Sequence, residues 1–423
     1  MVEEKSEISE LKPTLGLFDA TAISVGAIVG AGIFVITGIA AGLAGPALTV
    51  SMLIAAAISM FTALSFAELT AWQPREGSIY EYAYQLISPF AGFLTGWMWM
   101  TSNTFAGAAV SLGFANYLCT LFPVLPVNWV AAALCILFTL LNFLGIRQSA
   151  LLNNVLVAAK LSILGFFVVY GLMYVDASNF AAFNPLQWGI LSGAFYIFFA
   201  YGGFARVAVV AEEVKDAKKN VPRAILISLA ISTVVYIFVG LVAVGLIGAP
   251  RLAASNSPLT EAIGATGNSL AAYTVSAGGL IATASVLLTS ILGVSRMAYA
   301  MARRKDLPQA LKKLHVKYNT PYYSIWIVGT LMALLVLFVD MAKVVAVSTF
   351  ALLFYYSLAN VSALRLNTER VYPRFVPFLG AATCLMLLTF TSLASPQACI
   401  AGIAVLAAGA IYYRVKKKLF DAF

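Results

Sequence analysis

Residues 25–34 read Val25-Gly26-Ala27-Ile28-Val29-Gly30-Ala31-Gly32-Ile33-Phe34. Gly26, Gly30 and Gly32 fall in the middle of an apolar run long enough to cross a bilayer. Glycine lowers the cost of leaving helical dihedrals. In hydrocarbon, non-helical backbone survives only where it faces protein or lines a polar cavity. A helix broken here exposes N–H groups on one side of the gap and C=O groups on the other, and together these can hold a carboxylate and a cation at mid-membrane depth. The spacing Gly26-xxx-Gly30 also serves helix packing as a small-xxx-small contact. A second interrupted segment, Phe199-Ala200-Tyr201-Gly202-Gly203-Phe204, recurs five crossings later and weighs toward a true break.

The composition agrees with a membrane setting. Of the 423 residues, 61% are hydrophobic and 10% charged, with a mean hydropathy of +0.92; a soluble domain carries roughly 25% charged residues. Apolar runs of spanning length predict twelve transmembrane helices, over 17–43, 46–70, 90–119, 126–145, 150–174, 188–211, 222–248, 270–301, 322–340, 343–365, 375–393 and 397–414. The fold class expected is therefore an all-α integral membrane protein, with residues 1–423 as a single membrane domain. With both termini cytoplasmic, most of the 26 Lys and Arg fall in inner loops, only Arg251 and Lys343 fall outside, and Lys160, Arg206 and Arg296 lie within spans. That asymmetry obeys the positive-inside rule. It accounts for the net charge of +9 by topology, so no nucleic-acid partner is expected. Residues 1–14 are polar and lead into no short apolar core with a cleavage site, so no cleaved signal peptide is read. Cys119, Cys135, Cys384 and Cys399 are scattered without metal-ligand spacing, and His315 stands alone in a basic loop.

Lys160 is the most informative charge. About ten residues, roughly 15 Å of helix, separate it from the cytoplasmic loop at Ile146-Arg147, too far for easy snorkelling. An ionisable group at that depth is a functional-site hypothesis. No acid lies at a similar depth, so backbone carbonyls of a broken helix are its natural partners; a lysine that only bridges helices is the alternative. Asn103 can line a cavity or bond between helices. Arg206 follows the second break and reads either as a structural ion pair with Glu212 or Glu213 or as a residue facing an inner vestibule. Pro222 suits the first turn of the seventh span. Since the broken spans are the first and the sixth, the implied repeat is five crossings. An odd number of crossings inverts the second copy. The expected division is 17–174 and 188–365 as inverted repeats, with 375–414 as two accessory helices.

Three stretches carry a family resemblance: Gly26–Phe34; Phe198–Ile225, with Phe-Ala-Tyr-Gly-Gly-Phe followed by Glu-Glu-Val and Lys-Lys-Asn-Val-Pro-Arg-Ala-Ile; and Ser295–Pro308 with Thr320-Pro321. In order and spacing the chain resembles the amino acid–polyamine–organocation (APC) superfamily of permeases, over essentially its whole length. The resemblance implies the leucine-transporter-type 5+5 inverted repeat with helices 1 and 6 broken. It implies that the N–H groups of Gly30, Ala31 and Gly32 receive a substrate carboxylate. The carbonyls of Ile28, Phe199, Ala200 and Gly202 would surround the amino group, and Phe199 would close over the substrate. Lys160 falls where some proton-coupled members carry a lysine in place of a bound sodium ion, its ammonium meeting a helix 1 carbonyl, here that of Gly26. Where many members have Asp or Glu after the Gly-Phe of helix 6, this chain has Ala205.

The function expected is a secondary transporter of small neutral amino acids in the cell membrane, multi-pass, with an amino acid and protons as small partners and the lipid bilayer as surroundings. An exchanger or exporter of amino acids or amines on the same fold is the alternative. An enzyme or channel is disfavoured, since no cluster of His, Cys, Asp or Glu sits at membrane depth and no ring of carbonyls or charges suggests a filter.

Overall fold

The computed structural model describes residues 13, 15–30, 32–74, 78–144, 150–318, 320–367 and 370–421. The first apolar run is not one helix. Helix α1 (Leu17–Ile28) ends where Val29 turns extended, at φ −77 and ψ 92. The chain resumes as a π-helical turn, Gly32–Ile36, which passes into α2 (Thr37–Ala44). Gly45, at φ +55, reverses direction into α3 (Leu48–Trp72), a conformation open to glycine because it lacks a Cβ.

A short amphipathic helix, α4 (Ser78–Leu86), follows. Helices α5 (Pro89–Leu121), α6 (Val127–Phe143) and α7 (Ala150–Leu172) come next. Helix α8 (Gly189–Tyr201) stops at Gly202-Gly203, and the chain continues as a 3-10 helix, Phe204–Glu213. The remaining helices are α9 (Ala217–Ala254), α10 (Pro258–Gly264), α11 (Ser269–Arg303), α12 (Tyr322–Phe338), α13 (Met341–Leu364), α14 (Phe375–Ala394) and α15 (Pro396–Asp421).

Among the described residues, eight helical stretches are long and apolar enough to cross a membrane, and α6 and α12 are shorter apolar helices. The described chain has no strand, only an isolated bridge between Leu15 and Val214. The expectation of an all-α membrane protein therefore holds. One boundary differs: α9 starts at Ala217, so Pro222 lies in its second turn. The amides of Lys219 and Asn220 both donate to the Asp216 carbonyl, at 2.8 and 2.9 Å, and start the helix upstream of the proline. Gly248, at φ +72, interrupts α9 before its last turn.

Helices α1, α2, α3, α8 and α13 are mostly buried, with α3 packed on α9, and α5 on α11 and α13. Helices α7 and α15 instead present Val155, Phe166, Val169, Ile400, Ile403 and Ile411 outward. Apolar side chains on the outside and small and polar ones inside, such as Ser24, Ser51, Ser102 and Ser348, are what a bilayer selects: lipid offers no hydrogen bonds, so polar groups turn inward.

Candidate functional site

The two breaks meet. A Cβ added to Gly203 would lie 2.3 Å from the carbonyl carbon and oxygen of Ala27, and one on Gly32 would lie 2.4 Å from the Ala200 Cβ. Only glycine lets the interrupted backbones approach this closely. Breaking two helices inside an apolar body frees carbonyls that must find donors. Polar side chains from neighbouring helices supply them. Tyr236 of α9 donates from Oη toward both the Ile28 carbonyl, at 2.8 Å, and the Ala200 carbonyl, at 3.1 Å, and so clips the two breaks together. Tyr117 of α5 donates to the Phe34 carbonyl at 2.5 Å, and Tyr356 of α13 to that of Gly202 at 3.0 Å. Ser24 reaches across to the Phe204 carbonyl at 3.2 Å.

Lys160 belongs to this set. It is 1% exposed, and its Nζ donates to the carbonyls of Gly26 and Val29, each at 3.2 Å. These are the carbonyls released where α1 gives way to extended backbone. A compact ammonium with three rotatable donors suits two diverging acceptors. No described carboxylate lies within ion-pair distance of it. A Cβ at Gly26 would meet Val157 Cγ2 at 2.9 Å, so α7, which carries Lys160, packs directly on the break.

Between the breaks lies a cavity of ≈ 50 Å³, space on the order of four waters by this measure. Of the residues expected to bind substrate, Ile28, Gly30, Gly32, Phe199, Ala200 and Gly202 all line it, while Ala31 lies outside the described residues. The Gly30 N–H has no hydrogen-bond partner among the described residues. The opposite wall comes from Ser102 and Asn103 of α5, Val286 of α11, and Ser348 and Tyr355 of α13.

Arg206 also lines the cavity. Its Nη1 donates to Thr289 Oγ1 at 2.7 Å and its Nη2 to Asn103 Oδ1 at 3.3 Å. These partners are neutral, where an ion pair was one of the two readings; the side chains of Glu212 and Glu213 lie outside the described residues. The sequence reading missed Val29, the second acceptor of Lys160, and Tyr236. The signal for Tyr236 was one phenol amid Ser232-Thr233-Val234-Val235, since a buried Tyr hydroxyl needs an acceptor.

On the side of α4, Asp306 accepts from Tyr80 Oη at 2.5 Å and from Lys416 Nζ at 2.8 Å, and Arg304 pairs with Glu81 at 2.5 Å. Burial, and then the hydrogen bond to Asp306, pushes the Tyr80 phenol up from its ordinary range, so it stays a donor. This cluster joins α4, the exit of α11 and the end of α15.

Comparison with known proteins adds an independent line. A family model described as amino acid permease matches residues 15–412. An uncharacterized transporter of Mycobacterium tuberculosis (strain ATCC 25618 / H37Rv) is 35% identical over 412 residues, covering 96% of this chain and 92% of that one. A branched-chain amino acid permease of Bacillus subtilis (strain 168) is 33% identical over 385 residues, covering 85% and 83%. Cationic amino acid transporter 4 of Mus musculus is 31% identical over 405 residues, covering 90% of this chain and 64% of that one.

Proposed function

The chain belongs to the amino acid permease family, and from that premise we propose that it moves small, non-cationic amino acids across the cell membrane by alternating access, coupled to protons. It is a multi-pass membrane transporter and not an enzyme. The related permeases are named for branched-chain and for cationic amino acids, so kinship does not choose the substrate. The observation that carries the reading is the pair of helix breaks opposed across one small cavity, with Lys160 on the carbonyls of the first break.

A zwitterion fits such a site. Its carboxylate takes the N–H groups at Gly30, Ala31 and Gly32, where the second half of the broken helix begins with the positive end of its dipole. Its ammonium takes the carbonyls at Ile28, Phe199, Ala200 and Gly202. The volume of the cavity supports a small substrate. Ala205 in place of an acid, and a guanidinium on the wall, support exclusion of cations, since an unpaired cation in a dry pocket is costly.

In this reading the chain crosses the bilayer twelve times as two inverted repeats, 17–174 and 188–365, with 375–414 accessory and both termini cytoplasmic. The breaks in the first and sixth helices support that symmetry. Lys160 is the coupling group. Its protonated form holds the Gly26 and Val29 carbonyls and fixes α1 against α7. Its neutral form keeps far less of that attraction, and α1 is then free to move. A proton thereby biases a two-state element.

Proteoliposomes test this reading. Wild type is expected to accumulate a small neutral amino acid under an imposed pH gradient. Lys160→Ala, checked for a monodisperse folded sample, is expected to lose that accumulation. Wild-type-like accumulation by the variant would remove Lys160 as the coupling group.

A further inference from the structure

The wall of the cavity that faces α4 is built around Arg206. Its two partners are fixed in ways that leave them as acceptors. Asn103 donates its own Nδ2 to the Trp99 carbonyl at 2.9 Å, which turns Oδ1 toward the guanidinium. Thr289 accepts from Arg206, while its own hydroxyl lies within reach of the carbonyls of Ser285 and Val286, at 3.2 and 3.0 Å. The guanidinium is thus held in place by α5 and α11. It has five N–H donors, of which these bonds occupy two. Among the described residues no carboxylate comes within ion-pair distance of it.

Arg206 also borders a second, smaller cavity of ≈ 10 Å³ lined by Phe66, Ser78 and Ile79, and so stands between the main cavity and α4. The other anion-seeking feature, the Gly30–Gly32 backbone, belongs to the first broken helix. The site therefore presents two groups that seek oxygen, one on each broken helix, and the one charged side chain among its described lining residues, Arg206, is cationic.

We infer that Arg206 is the specificity-determining residue of this site: it takes an oxygen at the far end of the substrate side chain, a hydroxyl, amide or carboxylate oxygen, and turns away cationic side chains. The inference rests on the amino acid transport reading and narrows it. A substrate bound by its α-carboxylate and ammonium at the helix breaks directs its side chain toward the remaining wall. An oxygen there completes the donor set of the guanidinium, whereas an aliphatic side chain of the same shape strips water from those N–H groups and returns nothing. A site built to hydrogen-bond a group rejects the analogue that lacks it, because its own polar atoms are then left unpaired. A lysine or ornithine side chain would bring a second cation beside the guanidinium into a dry volume.

Isosteric pairs test this on the purified full chain in detergent, by competition against a bound radiolabelled amino acid. Threonine against valine, and asparagine or aspartate against leucine, differ little in shape and chiefly in the distal oxygen. In wild type the oxygen-bearing member is expected to bind roughly ten- to a hundred-fold more tightly, the range for hydrogen bonds to charged groups, and lysine is expected not to compete. Arg206→Met is expected to bring the threonine-to-valine ratio close to one. Arg206→Lys, which keeps the charge but loses the planar fork, is expected to reduce the ratio and still exclude lysine.

A wild-type ratio near one, or a preference that survives in Arg206→Met, overturns the inference and leaves the transport reading standing. Binding of no amino acid by wild type overturns both. Should the methionine variant fail to fold, Arg206→Lys decides the question: a threonine-to-valine ratio unchanged from wild type overturns the inference.

Discussion

Gly32 offers the sharpest test of how the two breaks are joined. Substitution by alanine places a Cβ 2.4 Å from the Ala200 Cβ and 2.6 Å from its Cα. Carbon atoms at rest lie about 3.5–4.0 Å apart, so the two segments must separate by about 1 Å. The Cα is backbone, so no rotamer change relieves the clash and the end of α8 must move. Overpacking of this kind costs about 1–3 kcal/mol. The Tyr236 bond to the Ala200 carbonyl starts at 3.1 Å and would be stretched past useful length, which removes about 0.5–1.5 kcal/mol more.

Gly165 is the control. It sits within α7 with nothing within 4 Å of an added Cβ. Gly165→Ala should be neutral, or stabilising by up to about 1 kcal/mol through helix propensity. Thermal unfolding in detergent and amino acid binding would be measured on both variants. Gly32→Ala is expected to unfold at a lower temperature and bind more weakly, and Gly165→Ala to match or exceed wild type in stability. If Gly32→Ala keeps both the wild-type melting temperature and affinity, the two breaks are not in the close contact that a 2.4 Å approach implies.

Tyr236→Phe removes the single donor shared by the Ile28 and Ala200 carbonyls; thermal unfolding should register a loss of about 1–3 kcal/mol, because two buried acceptors lose their partner, while Tyr273→Phe, on an exposed side chain, should match wild type. Asp306→Asn should destabilise the cluster of Tyr80, Asp306 and Lys416, in which the Lys416 and Asp306 side chains are 18% and 11% exposed, and quicken proteolysis of the end of α15. By contrast Glu261→Gln, which breaks a pair with Arg251 exposed to 35% and 58%, should shift stability by less than about 1 kcal/mol; equal effects of the two variants would show that burial does not set the worth of these pairs.

Much of this protein was legible in the chain alone. Hydrophobicity and helical propensity are local properties, so the apolar runs announced an all-α membrane protein. Glycines at 26, 30 and 32 and at 202 and 203 announced where helices stop, because the freedom of a glycine belongs to that residue. Lys160 announced itself because charge inside an apolar run is costly wherever the run packs. Family likeness then drew Ile28, Gly30, Gly32, Phe199, Ala200 and Gly202 to one place, and these residues line one cavity.

Which donor meets which acceptor depended on tertiary structure. Lys160 lies 134 residues from Gly26 and 131 from Val29, and Tyr236 lies 208 from Ile28. No local pattern encodes such a meeting, since it follows from how α7 and α9 cross α1. Arg206 shows the limit most clearly. In sequence its nearest acids, Glu212 and Glu213, made an ion pair a natural reading. In space its described bonds go to Asn103 and Thr289, 103 and 83 residues away. The second break, after α8, turns the side chain into the cavity, where hydrogen bonds follow the three-dimensional packing of α5 and α11 and not the order of the chain.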